Sequence, residues 1–233
     1  DAAPAQQGQV CAWNNLGNAS GQFMYVGSAL DTDQNKLYVF GGANTDYEAQ
    51  NSLEAGDFSG ATLGVSHKGV SISGAQKAIG AAGAYRAKGD SADSAAYFIG
   101  GLSDKNDASA STEVQRYLTK AGQWERVTGV GGSFAARAFA AAAYDPDHDV
   151  IWVTGGIGSC ELGKVLPHNN NQGTPQTPED CNAKQIATQY LSFDPTTGAP
   201  AWNTLSGSTV SLVVDGKPVG MLMLKDLVAA GIV

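Results

Sequence analysis

Three short apolar runs each end in two glycines. Leu37-Tyr38-Val39-Phe40 runs into Gly41-Gly42, Ala96-Tyr97-Phe98-Ile99 into Gly100-Gly101, and Ile151-Trp152-Val153-Thr154 into Gly155-Gly156. Runs this short and this aromatic read as buried strands. A double glycine at the end marks a sharp turn or a close backbone approach. The copies lie 59 and 55 residues apart, so the pattern is an internal repeat.

A second element recurs around tryptophan. Trp13 in Cys11-Ala12-Trp13, Trp124 in Gln123-Trp124-Glu125 and Trp202 in Ala201-Trp202-Asn203 each head a short strand-like segment. Between the two elements lie alternating runs, Glu113 to Leu118 and Gln189 to Phe193, each followed by a turn. The first unit, from about Phe23 to Val65, lacks a matching tryptophan. Each unit therefore predicts about four short antiparallel strands. A sheet this small has to bury its faces against neighbours, so the units are expected to stack face to face.

The hairpin before each Gly-Gly carries turn chemistry. Asp31-Thr32-Asp33-Gln34-Asn35 and Asp145-Pro146-Asp147-His148-Asp149 align without a gap. The acidic spacing suggests calcium, but the calcium loop needs Gly at its sixth position and Glu at its twelfth. Lys36 and Gly42 hold those positions in one copy, Val150 and Gly156 in the other. The reading is a tight hairpin, with Asp and Asn bonding their own backbone and accepting the left-handed conformation. In the second unit the hairpin loop is longer, Arg86 to Ser94, and is expected to be exposed.

Composition supports an all-β chain. There are 30 glycines in 233 residues and only 15% charged residues, which suits short strands and tight turns. The net charge of -8 argues against nucleic acid and anionic membranes, which call for a basic footprint. No run of 18 apolar residues exists to form a transmembrane helix. Cys160 and Cys181 bracket a polar segment and are read as a disulfide staple, worth about 3 kcal/mol by chain entropy. Cys11 is left over, and the spacings do not suit zinc. Asn18-Ala19-Ser20 is a glycosylation sequon. With a start that resembles a processed end, these features point to a secreted or surface protein.

The Gly-Gly strands, the preceding aromatics Tyr38, Tyr97 and Trp152, and the pairs Tyr117 with Trp124 and Phe193 with Trp202 resemble kelch repeats. Kelch repeats are the blades of kelch and galactose-oxidase-like β-propellers. The resemblance covers residues 10–206, after a tail at 1–9. It implies a propeller of four-stranded blades, partial here, with three blades and parts of a fourth. Such propellers usually close with six or seven blades. The strands missing beside Trp13 come either from the C-terminus or from outside this chain. Residues 207–233 resemble the end of a CBS domain, a nucleotide-binding fold, over too short a stretch to make one. Alternating apolar runs around Asp215-Gly216 favour a plain β-hairpin there.

No catalytic constellation, metal site or cofactor motif is present in the sequence. The copper site that the galactose-oxidase resemblance implies matches no positions, since the histidines are only His67, His148 and His168. Trp13, Trp124, Trp152 and Trp202 recur at strand positions and are read as core rather than sugar platforms. Arg137 is read as structural, paired with a turn carboxylate. The expected interaction surface is the rim of loops after each Gly-Gly, above all the Cys160–Cys181 insertion with Asn169, Asn170, Asn171 and Gln172. The expected function is a protein- or glycan-binding or structural module. The alternative is a piece of a carbohydrate-oxidising copper propeller with its active site elsewhere.

Overall fold

The computed structural model describes residues 24–57, 64–89, 92–104, 110–157, 187–205, 212–214 and 217–219; at 64–70, 212–214 and 217–219 it describes the backbone alone. Two compact units divide the chain, Asp1–Asn203 and Thr204–Val233. No helix occurs among the described residues.

The first unit contains three four-stranded antiparallel sheets. Sheet 1 is β1 (Gly27–Asp31), β2 (Lys36–Phe40), β3 (Ser52–Asp57) and β4 (Gly64–Ser71). Sheet 2 is β5 (Ala82–Arg86), β6 (Ala95–Ile99), β7 (Val114–Leu118) and β8 (Gln123–Arg126). Sheet 3 is β9 (Ala141–Asp145), β10 (Val150–Thr154), β11 (Gln189–Phe193) and β12 (Pro200–Thr204). In every sheet the strands neighbour one another in chain order. The register repeats: Ala29 pairs with Tyr38, Ala84 with Tyr97 and Ala143 with Trp152.

The sheets pack through their first strands, β1 on β5 and β5 on β9. The sequence explains why these strands can converge. Gly27-Ser28-Ala29, Ala82-Gly83-Ala84 and Ala141-Ala142-Ala143 carry small side chains. A Cβ at Gly83 would collide with the Ser28 backbone, so glycine permits the approach. The large side chains sit farther out. Between sheets 1 and 2, Tyr38, Phe40 and Leu53 pack on Tyr85, Phe98 and Tyr117. Between sheets 2 and 3, Tyr97, Ile99 and Val114 pack on Ile151, Leu191, Phe193 and Trp202. Each such side chain contributes about 1.5–3 kcal/mol on burial.

Burial patterns follow position in the stack. Strand β6 is buried at every residue because sheet 2 is covered on both faces. Strand β1 alternates buried and exposed, and β9 is exposed at Ala141 and Ala143. Among the described residues, sheets 1 and 3 are the outer members of the three.

At the start of each first strand one backbone position is left-handed: Tyr25 (φ 57°), Gly80 (φ 69°) and Phe139 (φ 59°). These positions are joined in series. Gly80 N donates to Tyr25 O and Phe139 N to Gly80 O, both at 2.7 Å. The Tyr25 and Phe139 rings meet edge to face at 5.6 Å.

The second unit shows β13 (Leu212–Val214) paired antiparallel with β14 (Lys217–Val219). The turn is tighter than Asp215 to Pro218, because Lys217 and Pro218 already belong to the return strand.

Candidate functional site: the Gly-Gly rim

Both residues of each glycine pair have positive φ, 69° and 81° at Gly41 and Gly42, 71° and 93° at Gly100 and Gly101, 68° and 87° at Gly155 and Gly156. The first glycine bonds back across its own sheet, Gly41 N to Ser52 O at 2.9 Å and Gly100 N to Glu113 O at 2.8 Å. The second reaches the connector that leads into the next sheet, Gly42 N to Ala78 O at 2.7 Å and Gly101 N to Arg137 O at 2.9 Å. A Cβ at Gly41 would strike the Ala78 carbonyl, and one at Gly100 the Arg137 carbonyl. Glycine is thus required twice over, by backbone conformation and by space.

The loops leave this edge through a common base. Gln50 N donates to Gly42 O at 2.9 Å, and Ser111 N to Gly101 O at 2.8 Å. Bridges Met24–Ala43, Ile79–Leu102 and Ala138–Ile157 tie each loop's first residue to the connector. A small core of Ala43, Ile79, Leu102 and Ala138 fills the space beneath. The first loop is built around Asn44. Its Oδ1 accepts from Asp46 N at 3.0 Å and Glu48 N at 2.9 Å, and its Nδ2 donates to Glu48 Oε2 at 3.2 Å. Asp46 and Glu48 are exposed on it, and Tyr47 (φ 60°) stands between them.

Below the rim a glutamine clips each connector. Gln115 Oε1 accepts from Gln76 N at 2.6 Å and its Nε2 donates to Gln76 O at 3.1 Å. One sheet later Gln189 Oε1 accepts from Ala135 N, and Nε2 donates to Ser133 O, both at 2.8 Å. Both glutamines are buried, and Glu54 holds the same register position in sheet 1. A primary amide suits this place because it offers donor and acceptor together.

Arg137 corrects an expectation. It does not pair with a turn carboxylate. Its guanidinium, 1% exposed, donates to Gln189 Oε1 at 2.8 Å, to Ala135 O and Ala187 O at 3.0 Å each, and to Gly155 O at 3.4 Å. It lies 5.0 Å from the Phe134 ring centroid. Burial lowers its pKa to about 10, still well above neutrality. Neutral oxygens replace its hydration shell, and the charge stays.

The opposite edge carries turns and one ion cluster. Asp149 accepts from Arg86 Nε at 2.7 Å and Nη2 at 2.6 Å, from Lys88 Nζ at 2.9 Å and from Tyr144 OH at 3.0 Å. Hydrogen bonds from Arg86, Lys88 and Tyr144 outweigh burial and hold its carboxyl far below the ordinary range. Arg86 itself is buried, contrary to an exposed hairpin loop, and stacks 3.7 Å over the Phe193 ring centroid. Ser94 at the other end of that loop is buried too; Lys88 and Gly89 are exposed. The cluster joins sheets 2 and 3 and has no free acid or base to offer a substrate.

The acidic hairpins are Asx turns, as read from the sequence. Asp31 Oδ1 accepts from the amides of Asp33 and Gln34, Asp145 Oδ1 from those of Asp147 and His148. Asn35 (φ 52°) and Asp149 (φ 51°) take the left-handed position. His148 is exposed and bonds Asp145 at 2.8 Å. Among the described residues no group of three His, Cys, Asp or Glu side chains is placed to hold a metal.

Trp124 lies half-buried against Phe40 and Phe98, with ring centroids 4.4 and 5.8 Å away. Trp202 is buried and stacks on Phe134 at 4.2 Å. Trp13, Asn18, Cys11, Cys160, Cys181 and Asn169 to Gln172 lie outside the described residues. Gln115 and Gln189 were not singled out by sequence reasoning. A register alignment of the alternating runs places both at the same position of the third strand, opposite Phe98 and Val153, which is the signal that finds them.

No protein-family model matches the sequence, and no curated protein does. The fold is similar to the solved structure of YjhT, a kelch-type β-propeller protein, with a TM-score of 0.50 and 12% identity. The match covers 79% of this chain but only 46% of the YjhT chain, so the likeness spans about half of that structure. It concerns the fold alone.

Proposed function

We propose that the three sheets are kelch-type blades and that the chain is a binding or structural module of the cell exterior, engaging a protein or glycan through the Gly-Gly rim. The observation that carries this reading is the common loop base. Gln50 and Ser111 close onto Gly42 and Gly101 in the same way, so loops of unequal length rise from one edge on a rigid frame. The Asn44 loop supports it further, since its side chain holds the backbone in shape and Asp46 and Glu48 lie on its exposed surface. Such a pre-ordered loop loses little entropy on binding. The Cys160–Cys181 insertion, with its Asn169 to Gln172 stretch, is the main recognition loop in this reading, and the staple limits its freedom.

Glycan-array screening of the intact chain tests the reading, beside a variant in which residues 162–179 are replaced by a short Gly-Ser linker. Selective glycan binding that the replacement abolishes, with circular dichroism unchanged, is the expected result. Binding that survives the replacement, or that vanishes on Asn18 deglycosylation instead, assigns recognition elsewhere.

A further inference from the structure

The left-handed residues ahead of β1, β5 and β9 stand at the foot of the rim loops. Met24, Ile79 and Ala138 bridge to Ala43, Leu102 and Ile157, the first residues of those loops. Tyr25, Gly80 and Phe139 follow the bridging residues directly. The two 2.7 Å backbone bonds join these three into one row that crosses the sheets.

Sheet 2 shows what the backbone asks for at this place. Glycine adopts φ 69° there freely, whereas Tyr25 and Phe139 hold bulky side chains at φ 57° and 59°, which such residues resist. Strain of this kind persists where the surrounding structure holds it, and it gathers at ligand clamps. Packing accounts for Phe139. A Cβ at Gly80 would lie 2.6 Å from two of its ring carbons, so the half-buried ring rests on Gly80. Packing does not account for Tyr25. Its ring meets that of Phe139 at an interplanar angle of 82°, yet the residue is 39% exposed. Among the described residues the other exposed large hydrophobic is Leu30, at the far end of β1 beside the Asp31 turn. The rim therefore presents one aromatic ring braced by a second.

The surroundings of that ring select its occupant. Thr45, Asp46 and Glu48 of the first loop and Ser103 and Asp104 of the second are exposed. The core of a protein–protein contact needs a wide apolar patch, which one ring among polar loops does not supply. A sugar ring needs an aromatic face for its C–H groups and polar side chains for its hydroxyls. Asp46, Glu48 and Asp104, on a chain of net charge -8, repel an acidic sugar. We propose that Tyr25, braced by Phe139, is the stacking platform for a neutral hexopyranose unit of a glycan. The proposal rests on the reading of the rim as a binding edge and makes a neutral glycan its ligand.

Saturation-transfer NMR of the 233-residue chain tests it, with the aromatic protons saturated selectively. The probes are the methyl glycosides of glucose, mannose and N-acetylglucosamine at millimolar concentration, beside glucuronic acid. Transfer to the ring protons of at least one neutral glycoside, and none to glucuronic acid, is the expected result. Tyr25→Ala is expected to weaken that binding about tenfold or more, and Tyr25→Phe, which keeps the ring, to stay within about threefold. Tyr25→Gly is expected to lose binding while its melting temperature holds or rises, because glycine relieves the left-handed backbone. Binding that Tyr25→Ala leaves unchanged overturns the platform and leaves the rim reading standing. Preference for glucuronic acid overturns the neutral class. If no glycoside binds, the proposal falls and the rim is left to a protein partner. A Tyr25→Gly chain that melts below the unaltered one makes the ring a packing element, which also overturns the proposal.

Discussion

Arg137 Nη2 donates to Gln189 Oε1 at 2.8 Å, a buried cation held by a neutral amide. The same Gln189 clips the connector at Ala135 and Ser133, so one side chain serves both the charge and the backbone path into sheet 3. Arg137 O in turn receives Gly101 N from the previous sheet. Disturbing either residue therefore reaches the rim.

Arg137→Ala is expected to destabilise by about 2–4 kcal/mol, through orphaned buried acceptors and a cavity. Gln189→Ala is expected to cost at least as much, because it strips a partner from a charge that remains buried. The pair is coupled, so Arg137→Ala with Gln189→Ala is expected to cost less than the sum of the two single losses. Urea unfolding of the four proteins measures this, and additive losses would contradict the coupling.

Asp149→Asn is expected to cost about 2–3 kcal/mol at neutral pH, since it leaves the buried Arg86 without its charged partner. The folded carboxyl ionises far below its unfolded value of 3.8. The unfolded chain therefore takes up this proton first, and the stabilisation is present above pH 3.8 and lost as pH falls through the folded value. The gap between wild type and D149N should narrow below that pH. A gap constant into strong acid would show that the ion cluster is not its source.

Stability is expected to fall as pH rises past about 10, the ordinary tyrosine value. Burial raises the pKa of Tyr85 and Tyr144 to about 12 each, and that of Tyr38 further still. Above pH 10 the unfolded chain has released these protons and the folded chain retains them, so folding weakens with rising pH. Arg137 acts in the opposite sense, because its folded pKa of about 10 lies below its unfolded 12.5. Three tyrosines outweigh one arginine. Tyrosinate absorbance should lag in the folded protein and rise with the unfolding transition.

Gly100→Ala is expected to destabilise by more than about 2 kcal/mol, because a Cβ there meets a fixed backbone carbonyl in addition to the left-handed penalty. Gly155→Ala carries the left-handed penalty alone within one chain, about 1–2 kcal/mol. Thermal melts of the two variants beside the unaltered protein measure the difference, and equal losses would contradict the role of the Arg137 carbonyl.

The amino-acid sequence by itself determined the repeat, the strands and the turns. Local chemistry suffices for these: apolar alternation sets the strand period, Asp31 and Asp145 bond their own neighbours, and Gly41 and Gly100 accept a backbone that side chains resist. Only the tertiary structure decided what lies between the sheets. Arg137 chose carbonyls and Gln189 over a carboxylate because those oxygens lie at the connector, a juxtaposition of residues 52 apart that no local pattern encodes. Arg86 is buried for the same reason, since Asp149 and the Phe193 ring reach it from the neighbouring sheet. The exposure of Leu30 and Ala143 is likewise invisible in the sequence, where they resemble their buried counterparts. Burial depends on what stands opposite, and a periodic sequence does not say which copy stands opposite which.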